Sequence, residues 1–220
     1  MQKIRRDFLF LIISIFGSFA TLYGIVLFNA HLLMTFDMSI RMFLVIVVYW
    51  SLLIIPMILM AVNKEHIKDL GFTTKKLFKQ IVIGIIIAVS MSAILTVIPI
   101  LLGFGDIIGS KNYTQAWQFI HDFIFSIFSI ALVEEFLFRG YIFHKLLKIK
   151  NNRMFAIILS SVFFGFFHIF TGLSVQILTT AIIGFFFCIC REKIKDCTIL
   201  SLIIAHGLYN GLITLWIGIL

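Results

Sequence analysis

From Met154 to Cys190 the chain runs 37 residues without an Asp, Glu, Lys or Arg. A helix needs about 20 apolar residues to cross a bilayer core. This run is therefore long enough for two crossings joined by a tight turn, and Thr171-Gly172 is the natural break. Other stretches meet the same length requirement. They place spans at Phe8–Leu27, Met42–Val62, Ile81–Leu102 and Trp117–Leu147, then at Met154–Phe170, Leu173–Cys190 and Thr198–Ile219. Pro56 and Pro99 fall inside two of them, which a membrane helix tolerates when neighbours or water satisfy the freed carbonyl.

Composition agrees with this pattern. Only 13% of residues are charged and 61% are hydrophobic, whereas soluble domains carry about 25% charge. A soluble fold this apolar would expose more nonpolar surface than it could tolerate. The run after Lys3, Arg5 and Arg6 is too long for a signal-peptide core and lacks a small-residue cleavage site, so it reads as a retained first span. The net charge of +8 does not point to nucleic acid, because the positive residues cluster between apolar runs. The clusters are Lys3, Arg5 and Arg6; Lys64, Lys68, Lys75, Lys76 and Lys79; Lys145, Lys148, Lys150 and Arg153; and Arg191, Lys193 and Lys195. Seven alternating spans put all four clusters on one side and leave only Arg41 and Lys111 on the other. The positive-inside tendency then makes the N-terminus cytoplasmic and the C-terminus external.

The expected fold is an all-α, polytopic transmembrane helical bundle of about seven spans, a single integral membrane domain over 1–220. Residues 1–110 hold three N-terminal spans and 117–220 a motif-bearing core. The connection from Asn63 to Gln80 is either a short interfacial amphipathic helix or a plain linker. Asp106 to Gln115 reads as an outer loop. Cys188, Cys190 and Cys197 imply no disulfide scaffold, and zinc binding by them alone would need a fourth ligand.

The fourth span carries Asp122, Glu134, Glu135 and Arg139, all costly in hydrocarbon and all in need of a reason. Glu135 and Arg139 are four apart and share a helix face, so they can pair. Glu134 is rotated from Glu135 by about 100 degrees and becomes the spare carboxylate, a candidate general base. His168 follows Phe163-Phe164-Gly165-Phe166-Phe167, with Phe164 one turn earlier on the same face. His206 and Asn210 are also four apart, beside Gly207 and Gly211, which allow close helix approach. At 1.5 Å per residue, Glu134 and His168 lie about 21 Å from the basic end of their spans, and His206 and Asn210 about 12 and 18 Å. One shared site accounts for these depths more economically than three separate ones. In such a site Glu134 and His168 would hold and deprotonate water, His206 and Asn210 would donate to an oxyanion, and Arg139 would order Glu135. A zinc ion on His168, His206 and one glutamate, with the other glutamate as base, is equally consistent with the residue types.

These residues resemble the CPBP family of intramembrane proteases, the CAAX protease and bacteriocin-processing family. Its signature reads Glu-Glu-x-x-x-Arg, Phe-x-x-x-His and His-x-x-x-Asn. Here the three parts are Glu134-Glu135-Phe136-Leu137-Phe138-Arg139, Phe164 to His168 and His206 to Asn210, in order and each on its own span. The resemblance covers about Ile120 to Gly218, with Leu70-Gly71-Phe72 matching in general character. It implies an intramembrane endopeptidase in which Glu134 and His168 activate water and His206 and Asn210 line the oxyanion site. The family was long called metalloprotease, while its eukaryotic CAAX-cleaving members look metal-independent, so the cofactor is none or a zinc ion. The implied partners are the bilayer and a membrane-embedded or lipid-anchored peptide: a prenylated CAAX-like tail, a leader or another embedded segment. The implied location is a cell membrane, read as a bacterial inner membrane from the Phe, Ile and Lys richness. A non-catalytic bacteriocin immunity protein and a small transporter are the competing readings.

Overall fold

The computed structural model describes residues 2–105, 113–170 and 174–219. It is helical almost throughout, with no strand among the described residues. Among the described residues, seven helices are long and apolar enough to cross a membrane: α1 Gln2–Thr35, α2 Met38–Val62, α3 Leu77–Leu101, α4 Ala116–Ile149, α5 Arg153–Phe170, α6 Val175–Lys193 and α7 Ile199–Trp216. The count matches the sequence expectation, and the chain is a multi-pass membrane protein. Large apolar side chains face outward, with Phe16, Phe78 and Leu101 each more than 70% exposed, as hydrocarbon contact allows. The expected break at Thr171-Gly172, the basic residue Lys111 and most of the outer loop lie outside the described residues.

Of the two alternatives for the Asn63–Gln80 connection, the structure follows the plain linker, with one 3-10 turn, Ile67–Leu70, closed by Gly71 in the left-handed region at φ 101° before α3 begins at Leu77. Two other features differ from the expectation. Lys145, grouped with the basic cluster at the end of the fourth span, is fully buried within α4. Three segments also widen into π-helix, at Ala93–Val97, Ser126–Ala131 and Glu135–Ile142. The first lies just before Pro99, and a 3-10 stretch at Ser51–Leu53 likewise precedes Pro56. A proline lacks an N–H and crowds the carbonyl four residues back, so the preceding turn must change its bonding.

The chain divides into two compact units, one of Met1–Phe72 with Val133–Lys195 and the other of Thr73–Leu132 with Asp196–Leu220. In the first unit, Gly165 brings α5 against α6. A Cβ at this position would lie 2.6 Å from the Ile177 carbonyl oxygen and 2.7 Å from Ala181 Cβ. Neither the carbonyl nor the short Ala181 side chain can swing away. Gly165→Ala is therefore expected to destabilise the protein by about 1–3 kcal/mol, the usual cost of overpacking. The check is thermal unfolding in detergent beside Gly24→Ala, where the added methyl meets nothing within 4 Å.

A buried ion cluster clips α1 to the end of α4. Lys145 Nζ donates to Asp7 and to Glu65, each at 2.8 Å. Lys148 also reaches Glu65, and Asn63 donates to Asp7 at 3.1 Å and to Glu65 at 2.8 Å. Burial alone would raise the Glu65 carboxyl, but bonds and charge from Lys145 and Lys148 outweigh it and hold the group below the usual range. A carboxyl lowered in the folded state stabilises above its unfolded pKa, about 4.3, and loses that contribution as pH falls through the folded value. The detergent melting temperature should thus hold between pH 7 and about 5 and drop below about 4. Glu65→Gln should lower it at pH 7 and shrink the further acid loss.

In the second unit, α3 packs closely on α7. A Cβ at Gly84 would lie 2.7 Å from the Ser201 carbonyl oxygen and 2.8 Å from Ile204 Cβ. Thr198 donates to Gln80 at 2.5 Å, and Trp216 donates to Ser92 at 2.7 Å. Asp122 accepts from the Tyr113 hydroxyl at 2.8 Å, which answers the need that its position in a span created. Burial and then this carboxylate push the Tyr113 phenol up to about 12.

Candidate active site

Motif one is built almost entirely from buried atoms. Glu134 is 3% exposed and Glu135 and Arg139 are 0% exposed. The Arg139 guanidinium meets Glu135 at 3.1 Å, one turn apart on the same helix. The expected pair is therefore present, although the segment is π-helical from Glu135 onward and the regular 100-degree rotation does not describe it. π-helical turns often occur where function demands a particular side-chain aim.

The guanidinium also lies 4.0 Å from the centre of the Phe164 ring and 5.4 Å from that of Phe187. Cation–π attraction of this kind strengthens when water is absent. Gly184 of α6 makes room for it, because a Cβ there would stand 3.0 Å from Phe164 and 3.1 Å from the Arg139 terminus. From the other side, Arg191 donates to the Arg139 carbonyl and, at 2.8 Å, to the Leu70 carbonyl. Leu70 is fully buried and Phe72 packs on Phe136 with ring centres 5.9 Å apart. Leu70-Gly71-Phe72 thus anchors the motif helix.

Phe164 connects motif one to motif two. Its ring stands edge-on to His168 with centres 4.9 Å apart. His168 opens the 3-10 turn His168–Phe170 that ends α5, and its Nδ1 lies 3.0 Å from the Phe164 carbonyl oxygen. A carbonyl only accepts, so Nδ1 carries the proton. In the neutral ring the basic nitrogen is then Nε2. Glu135, Arg139, Phe164 and His168 are brought together in one continuous series of contacts.

Glu134 is held differently. Its Oε1 accepts from the hydroxyl of Tyr49 on α2. Sequence reasoning missed Tyr49, although a signal was present. It precedes Val62, the end of its span, by 13 residues, or about 20 Å. That is the depth read for Glu134.

His206 and Asn210 lie in the second unit on α7, with His206 buried at 7% exposure. The expected close approach at their glycines is present. A Cβ at Gly207 would lie 2.8 Å from Ile127 Cα, and one at Gly211 would overlap the Phe123 ring. The bulkless face of α7 therefore fits against Phe123 and Ile127, and His206 and Asn210 fall one turn apart on the same helix. Among the described residues, no group of three His, Cys, Asp or Glu is placed to hold a metal ion.

Residues 116–212 match the family model described as Rce1-like, type II CAAX prenyl endopeptidase. The matched stretch contains all three motifs, in keeping with the CPBP resemblance. No curated protein and no solved structure matches the chain.

Proposed function

We propose that the chain, whose residues 116–212 match the Rce1-like CAAX endopeptidase family model, is an intramembrane endopeptidase that hydrolyses a peptide bond by water activated at Glu134 and His168. The observation that carries this reading is the Nδ1 bond of His168 to the Phe164 carbonyl. It leaves Nε2 as the ring's proton acceptor, suited to orient a water. Glu134, buried and carried on the neighbouring motif, takes the water proton. The resulting hydroxide adds to the scissile carbonyl, and the carbonyl oxygen gains the negative charge. His206 and Asn210 donate hydrogen bonds to that oxygen, where stabilisation counts most. Glu134 then returns the proton to the nitrogen as the C–N bond breaks, giving a carboxylic acid and an amine, and the acid passes its proton to the amine as the products leave. Arg139 orders Glu135 through their 3.1 Å pair, and neither takes part in proton transfer. That the four polar residues serve one reaction rests on their motif order and the family match.

The family name points to a prenylated CAAX-like tail as the first substrate to try. The basic clusters favour a cytoplasmic N-terminus in a cell membrane. The test is incubation of purified protein in detergent with a farnesylated peptide ending in Cys-aliphatic-aliphatic-X, alongside unprenylated membrane peptides, with products identified by mass spectrometry. Wild type is expected to release a defined C-terminal fragment, and His168→Ala to release at least about a hundredfold less per unit time, the loss typical of a general acid–base group. Equal cleavage by both would remove His168 from the mechanism. No cleavage of any peptide, with toxin protection intact in cells carrying Glu134→Ala, His168→Ala and His206→Ala together, would favour the immunity reading.

A further inference from the structure

The geometry points to Tyr49, on a span outside the family-matched region, as a positioning residue for Glu134. This rests on the reading of Glu134 as the base. A glutamate side chain ends in a torsion with broad preferences, and a base works only if its carboxylate plane is aimed at the water. A phenol hydroxyl donating to Oε1 fixes that plane, and a hydrogen bond to an ionised acceptor is about twice as strong as a neutral one.

The local fold of α2 supports a dedicated placement rather than a chance contact. Tyr49 sits at the last turn of the regular helix Met38–Trp50, immediately before the 3-10 stretch Ser51–Leu53 that Pro56 enforces. Leu52 and Leu53 are 1% and 5% exposed, so the break itself is buried and fixed. Gly17 of α1 offers no side chain where Ile55 approaches, and a Cβ there would overlap the Ile55 δ-methyl. The irregular turn is thus clamped between a proline and a close helix contact, and the residue it presents to Glu134 is Tyr49. A lipid-facing or purely packing aromatic would be served equally by Phe, whereas this position uses the hydroxyl.

The experiment is steady-state cleavage of the farnesylated peptide by Tyr49→Phe, with melting temperature measured in the same detergent. The expected result is a kcat about ten- to a hundredfold lower, the range of one hydrogen bond to a charged group. KM should be unchanged, and the melting temperature should fall only modestly, with the protein fully folded at the assay temperature. An unchanged kcat, or a rise in KM alone, would overturn the proposal. Should Tyr49→Phe fail to fold, fluorinated tyrosines at position 49 keep the shape and vary only the donor strength. A kcat that follows phenol acidity supports the role, and a kcat indifferent to it refutes it. Glu134→Gln separates the two levels of the argument. If that variant is fully active the base reading fails. If it is inactive while Tyr49→Phe is normal, only the positioning role fails.

Discussion

Glu134→Gln is expected to lower kcat for peptide cleavage by about a thousandfold, within the range general-base groups contribute, while leaving the fold intact. The amide is nearly isosteric with the carboxylate, and its oxygen can still accept from the Tyr49 hydroxyl that now holds Oε1. Packing around the 3%-exposed side chain therefore changes little. What disappears is the ability to take a proton from water. KM should move by less than about threefold, because the lost interaction belongs to the transition state and not to substrate binding. The measurement is kcat and KM in proteoliposomes, with the melting temperature as control. A variant that melts with the wild type but cleaves a thousandfold more slowly fits the base role. Unfolding would instead indicate that Glu134 is structural.

The second large effect concerns stability. Arg139→Met is expected to destabilise the first unit by about 3–5 kcal/mol, the cost of leaving a buried charge without its partner. Glu135 is 0% exposed, and Arg139 meets it at 3.1 Å. Part of the loss also comes from the guanidinium stacked 4.0 Å over Phe164. The double variant Arg139→Met/Glu135→Leu should recover most of the loss, since an apolar replacement of both partners avoids the stranded charge. The check is thermal or denaturant unfolding in detergent of the two single variants and the double. Recovery in the double identifies charge burial as the cause, whereas a double as unstable as Arg139→Met would put the energy in the Phe164 platform. Loss of that platform would also disturb His168, whose ring stands against Phe164.

The spans were legible because the hydrocarbon core imposes one length on every crossing helix, and uncharged runs of that length have no comfortable place in a soluble fold. The Glu135–Arg139 pair and the close packing at Gly207 and Gly211 were legible for a similar reason, as spacing along a helix fixes which side chains share a face. What escaped the sequence was set by partners far along the chain. Lys145 looks like its basic neighbours Lys148, Lys150 and Arg153, and its burial follows from Asp7, 138 positions away. Tyr49 resembles any aromatic near a span centre until Glu134 is placed against it. The π-helical turns from Glu135 to Ile142 carry no glycine or proline signal at their start.

If Glu134 and His168 act on the same water, single-turnover cleavage by Glu134→Ala, His168→Ala and the double variant shows it most directly. Residues that act as a unit lose most of their joint contribution when either is removed. The prediction is therefore a double variant no more than a few-fold slower than the slower single one. Effects that multiply, or a Glu134→Ala protein that cleaves at the wild-type rate, would contradict it.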